Sequence, residues 1–295
     1  MSFKFCKLII CILMGIAFQT QAYCEEIRLG YTKDSTSIVT TTLVKAVLVE
    51  KLGQSVKMIP YTPQVLWQAV ATKKVDAIVS AWLPQSHGAL FKQYKSKVEV
   101  LKPVTLGIKM GVVTPTYVTI DNLDQFSGKA SRFKNIIYCI KDHIGSIEMT
   151  KRTIAAYSLK NIKLVEMTEQ ELITKLEACV DKLEWIALGA WTPHIIFSQW
   201  NLKYLEDKKG VFSNDEQVVA IANTDLSKNY RDTHALLKKF YCSSKELQEI
   251  MRTIIKRNKS PYGAAKDYIL NNPDQVKKWI QNVEKGHQKR RYHLN

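Results

Sequence analysis

Two stretches with the same order of residues, far apart in the chain, set what it can fold into. Ala81–His87 reads A-W-L-P-Q-S-H, and Ile186–His194 reads I-A-L-G-A-W-T-P-H. Each runs from an apolar strand into Trp, Pro and His. The first is fed by the apolar run Val75–Val79, so its turn opens at the carboxyl end of a buried strand, where open α/β sheets place their ligands. The two Trp residues lie more than a hundred positions apart. That arrangement calls for two lobes, each bringing an aromatic wall, Trp82 or Trp191, to one cleft.

The chain in order supports two α/β lobes. Ile27–Thr32 alternates as a strand. Thr36–Leu52 has apolar residues at helical spacing and stops at Gly53, a usual residue just past a helix. Ser55–Tyr61 is a strand, Pro63–Thr72 a short helix carrying Trp67, and Val75–Val79 the strand before the first Trp-Pro-His turn. Alternation of strand and helix predicts a mostly parallel sheet. Pro103–Tyr117, rich in Gly and Val with two prolines, reads as an extended crossover. Asn135–Ile140, Lys163–Met167 and Trp185–Ala190 are the strands beyond it, with helices at Ile147–Tyr157 and, capped by Thr168, Glu169–Val180. Val218–Ala222 is the return crossover, and helices at 229–240, 243–256, 261–270 and 273–284 pack back on the first lobe. The prediction is a hinged clamshell: residues 23–109 and 218–295 form one lobe and 110–217 the other.

Residues 1–22 stand outside this fold. Lys4 and Lys7, the apolar run Leu8–Phe18 and Thr20-Gln21-Ala22 make a secretory leader cut after Ala22, which points to the periplasm. Gln21-Ala22-Tyr23 lacks the Leu-small-small run expected before a lipidated Cys24. Cys24, Cys139, Cys179 and Cys242 remain after cleavage, as buried thiols or as disulfides; their spacing fits no zinc pattern. The formal charge is +16, a balance that can mean nucleic acid, anionic membrane or acidic ligands. Most of it is spread singly along helices. Its one cluster, Lys285–His293, is either a frayed tail or a contact for anionic lipid, and no nucleic-acid module is present.

Taken together, five stretches resemble the glycine betaine/proline betaine type of ABC-transporter substrate-binding protein, a type II-like periplasmic binding protein. They are W-L-P-Q-S-H at 82–87, M-G-V-V-T-P-T-Y at 110–117, W-T-P-H at 191–194, L-K-Y-L-E-D-K-K-G-V-F at 202–212 and A-A-K-D-Y-I-L-N-N-P at 264–273. The resemblance runs from about Ile27 to Trp279. It implies a monomer that binds a compact quaternary ammonium solute of the osmoprotectant class between its lobes and delivers it to a membrane permease. A methylated ammonium cannot donate hydrogen bonds and is held by aromatic faces, indole best; a ligand carboxylate needs donors, which a helix N-terminus supplies.

Carried onto this chain, the resemblance makes Trp82 and Trp191 cage walls and His87 a carboxylate donor. Gly145 and Ser146 supply the backbone donor pair. Trp67 either lines the cleft or packs it. Two departures stand out: Lys33-Asp34-Ser35 replaces a W-D-S-like run that carries a third cage Trp, and His143 stands where relatives have small residues. Lys33 either meets the ligand or lies in a solvated loop. His194 reads as a cap for the following helix, and Trp185, Trp200 and Trp279 as packing residues. Catalysis is not expected, because G-x-S-x-G, H-E-x-x-H and P-loop signatures are all missing, and no cofactor or metal is implied. The alternative is a surface or regulatory protein that keeps the fold with a changed ligand or none.

Overall fold

The computed structural model describes residues 26–212, 215–281 and 283. The leader, Cys24 and the basic tail at Lys285–His293 lie outside the described residues. In chain order the first elements are β1 (Ile27–Tyr31), α1 (Ser35–Leu52), β2 (Val56–Pro60), α2 (Pro63–Ala71), β3 (Ala77–Leu83), α3 (Gly88–Tyr94) and β4 (Val98–Thr105). The chain then passes through β5 (Lys109–Pro115), β6 (Ile136–Ile140), α4 (Ile144–Ala156), β7 (Lys163–Met167), α5 (Glu169–Asp181), β8 (Leu188–Thr192), α6 (Ile196–Gln199) and β9 (Leu202–Tyr204). It returns with β10 (Gln217–Asn223) and ends in α7 (Leu226–Asn229), α8 (Arg231–Leu237), α9 (Ser244–Lys256), α10 (Pro261–Asn271) and α11 (Pro273–Ile280).

Local chemistry explains the boundaries. Asp34 caps α1 by accepting from Ser37 N, and Gly53, at φ 63°, takes the left-handed turn that ends it. Thr168 with Glu171 and Ser243 with Glu246 make reciprocal capping boxes at the starts of α5 and α9. Prolines open α2, α10 and α11, where the missing N–H loses nothing.

The strands form two five-stranded sheets, in the orders β2-β1-β3-β10-β4 and β7-β6-β8-β5-β9. The fold is two-lobed α/β. Each sheet is mixed rather than mostly parallel. β2, β1 and β3 are parallel and β10 runs against β3 and β4; β7, β6 and β8 are parallel and β5 runs against β8 and β9. The parallel pairs come from strand–helix–strand units, whereas β5 and β10 arrive from the other lobe and join in the opposite sense.

These returning strands also lengthen the site strands. Parallel pairing of β3 with β1 covers only Ala77 and Ile78, but antiparallel pairing with β10 continues to Leu83 and sets Trp82 opposite Val218. In the same way β5 sets Met110 opposite Trp191. Both indoles therefore sit on ordered strands, not in the turns after them. One buried apolar cluster, which includes Trp82, Val218, Met110 and Trp191, runs through both lobes. Cys139, Cys179 and Cys242 are free, buried thiols. Among the described residues no helix is long and apolar enough to cross a membrane.

Candidate functional site

After Trp82 the chain turns through the cis peptide Leu83–Pro84, and His87 N donates back to the Trp82 carbonyl at 2.8 Å. His87 Nδ1 accepts from Trp82 N and from Trp67 Nε1, each at 3.1 Å. Burial pushes the ring's pKa down to about 4, so it is neutral at physiological pH. With Nδ1 accepting, the proton resides on Nε2, the ring's single donor. Trp67 is buried behind His87 with Phe91 at its side. Its indole N–H, donated to His87 Nδ1, favours the tautomer with the proton on Nε2.

Trp191 arrives from the other sheet, before the cis peptide Thr192–Pro193. Its ring centroid is 5.9 Å from that of Trp82, with the planes at 76°. Both indoles are buried. Trp191 Nε1 donates to Thr36 Oγ1 at 2.9 Å, and Thr36 Oγ1 donates to the Pro193 carbonyl at 2.6 Å. A first-lobe hydroxyl thereby fixes the second-lobe indole.

A third ring completes the cluster. His143 caps α4, its Nδ1 accepting from Ser146 N at 3.0 Å. Its ring stacks on Trp191 at 3.6 Å and 20°, and meets Trp82 edge-on at 4.6 Å. Nε2 is buried without a hydrogen-bond partner. Burial first, then His87 and His194, hold this imidazole well below its usual pKa. The Ser146 N–H is thus engaged by the cap. Gly145 presses on the first lobe: a Cβ there would stand 1.8 Å from Ser86 Oγ. Ser86 N in turn donates to Glu216 at 3.1 Å.

Lys33 is exposed. It lines a groove beside Ser35, Glu169, Ile195 and Pro261, away from the three-ring cluster, so the third ring beside the two indoles is His143. The N-cap of α6 is Ile195, with no side-chain capping bond; His194 Nδ1 accepts only weakly from Ile196 N at 3.4 Å, and its ring stands edge-on to Trp191 at 4.7 Å.

Sequence reasoning missed the polar seam between the lobes. Ser35 N donates to Glu169 Oε2 at 2.8 Å, and Ile195 N donates to Ser35 Oγ at 3.2 Å. Burial, then the nearby Asp34 carboxylate, pushes Glu169 up to about 8. Asp34 rises to about 6 through burial, although bonds from Thr32 and Ser37 pull the other way. His194 Nε2 lies 3.7 Å from Glu169 Oε1, but His194 is pushed down to about 3 by burial. At neutral pH the contact is therefore not an ion pair. The available signal was the hydroxyl-rich run Ser35-Thr36-Ser37 at the start of α1, shortly after the β1 strand. Among the described residues no group of His, Cys, Asp and Glu could hold a metal ion.

The model of the substrate-binding domain of ABC-type glycine betaine transport systems matches residues 25–271. The glycine betaine/carnitine transport binding protein GbuC of Listeria monocytogenes serotype 1/2a (strain 10403S) is 30% identical over 143 residues, 48% of this chain and 47% of that protein. The match thus spans about half the length of that curated relative. Among solved structures, lactococcal OpuAC, closed around glycine betaine, superposes with a TM-score of 0.79 at 28% identity, covering 86% of this chain and 99% of that one. The glycine betaine/L-proline-binding protein ProX from Borrelia burgdorferi superposes at 0.78 and 26% identity, covering 87% and 97%.

Proposed function

The chain belongs to the family of substrate-binding domains of ABC-type glycine betaine transport systems, and on that premise we propose that it captures a small quaternary ammonium or zwitterionic solute between its lobes and hands it to a membrane permease. The family is one of transport proteins, not of enzymes. In this reading residues 23–109 with 218–295 and residues 110–217 are the two jaws. The protein works as a monomer in the periplasm once the leader is removed.

The observation that carries the proposal is the meeting of Trp82 and Trp191, one from each sheet, at 5.9 Å. Aromatic faces attract a cation that cannot donate hydrogen bonds, most strongly when water is excluded. His87 fits the anionic end, because its neutral ring offers Nε2–H. The N-terminus of α4 at Gly145 and Ser146 adds a favourable dipole, and the Ser146 N–H becomes a backbone donor once the His143 ring gives it up. Closing over a ligand is a population shift, so the ligand must touch both jaws; walls drawn from both satisfy that need.

Calorimetric titration of the mature protein with glycine betaine, proline betaine, carnitine and choline tests the reading. Saturable binding of at least one solute is expected. Trp82→Ala and Trp191→Ala should each weaken it by about 1–2 kcal/mol. Silence across the panel from folded protein, or unchanged affinity in both variants, would reject it.

A further inference from the structure

We propose that His143 determines which solute this site takes: its side chain stands in for a zwitterion, and a ligand binds by replacing it at both of its contacts. The inference rests on the solute-capture reading. One contact is the face of Trp191. The imidazole stacks there at 3.6 Å, which leaves no gap for another group, and Trp82 closes on it from the side at 4.6 Å. A methylated ammonium needs such a place, over an indole face within about 6 Å of its centroid. The ring and the cation cannot share it.

The other contact is the N-terminus of α4. His143 Nδ1 accepts from Ser146 N at 3.0 Å, the role a ligand carboxylate would take at a helix N-terminus. When the ring leaves, the indole face and the Ser146 N–H are released together. A zwitterion re-satisfies both: its cation covers Trp191, and its carboxylate takes the freed N–H. A plain cation covers the indole alone and leaves a buried donor unpaired, which is costly. The occupant has its own defect, since His143 Nε2 is buried with no partner. The stacked ring is therefore displaceable, and the site should prefer carboxylate-bearing quaternary amines to choline.

Calorimetry with glycine betaine and choline on the native chain, His143→Ala and His143→Ser decides the matter. His143→Ala removes ring and cap, and glycine betaine should bind at least tenfold more tightly than to native protein. His143→Ser removes the ring but keeps a capping hydroxyl for Ser146 N–H; both solutes should tighten, with a smaller betaine-over-choline preference than in His143→Ala. The serine variant also guards against loss of the fold through the lost cap. If both variants bind glycine betaine no better than native protein while Trp191→Ala still weakens it, His143 is a wall and not an occupant. The proposal then falls and solute capture stands. If native protein and both variants, all folded by circular dichroism, bind neither solute nor any other of the panel, both readings fall together.

Discussion

The Thr36 hydroxyl stands between Trp191 and Pro193, accepting from the indole N–H at 2.9 Å and donating to the Pro193 carbonyl at 2.6 Å. Thr36 belongs to the first turn of α1, while Trp191 and Pro193 belong to the other lobe. These bonds exist only while the lobes meet.

Thr36→Val keeps the shape and removes both bonds. It leaves a buried indole N–H and a buried carbonyl unpaired, at a cost on the order of 1–3 kcal/mol. The expected result is a five- to hundred-fold loss of solute affinity, carried mainly by faster release. Stopped-flow tryptophan fluorescence would resolve it. A variant that releases solute at the native rate would mean that Thr36 does not stabilise the joined lobes.

Gly145→Ala tests how close the lobes must come. The new methyl would meet Ser86 Oγ at 1.8 Å and Ser86 Cβ at 2.5 Å, distances no packing tolerates. Each lobe should remain folded, and affinity should fall at least tenfold. Small-angle scattering with saturating glycine betaine should show a larger radius of gyration than for the native chain. Ser86→Gly in the same background should recover part of the loss.

Stability should fall as the medium becomes alkaline between pH 6.5 and 8. Glu169 is held up at about 8, against an ordinary 4.5. The stabilisation it gives as a neutral acid is complete below about pH 4.5 and is lost as pH rises through 8. His87, His143 and His194 are depressed. Their contribution has the opposite sign and acts only below the ordinary histidine value of 6.5, so the slope above 6.5 comes from the raised carboxyls, Glu169 foremost, with Asp34 and Glu216 acting in the same sense. Glu169→Gln should flatten thermal midpoints across that window and raise the midpoint at pH 8.

Lys33→Ala should change solute affinity by less than about 0.5 kcal/mol, as expected for an exposed side chain away from the contacts that matter. Its groove is lined by Ser35, Glu169 and Ile195 and not by the three rings. A larger loss by calorimetry would place its ammonium on the ligand's anionic end.

The scaffold was legible because its signals are local. Thr168 and Glu171 announce α5 within four residues, and Gly53 marks the end of α1. The two Trp-Pro-His units located the indoles for the same reason. What escaped depends on partners remote in the chain. Trp82 is ordered by Val218 and Trp191 by Met110, so both strands run past the point where apolar periodicity ends. The start of α4 at Ile144 rather than Ile147 depends on a histidine ring acting as cap, a residue outside the usual capping set. Thr36 and Ser35 look like ordinary helix-opening hydroxyls until Trp191, Ile195 and Glu169 come across from the other lobe.

The pairing of Trp82 with Val218 on β10 and of Trp191 with Met110 on β5 has a mechanical consequence. The ribbons that carry the polypeptide from one half to the other are laced, rung by rung, to the two indoles proposed to hold the solute. A pivot made of such ribbons cannot flex without tugging on its own sensors, nor can those sensors shift without loading the pivot. On the proposed capture reading, recognition and motion are then one event in one piece of backbone.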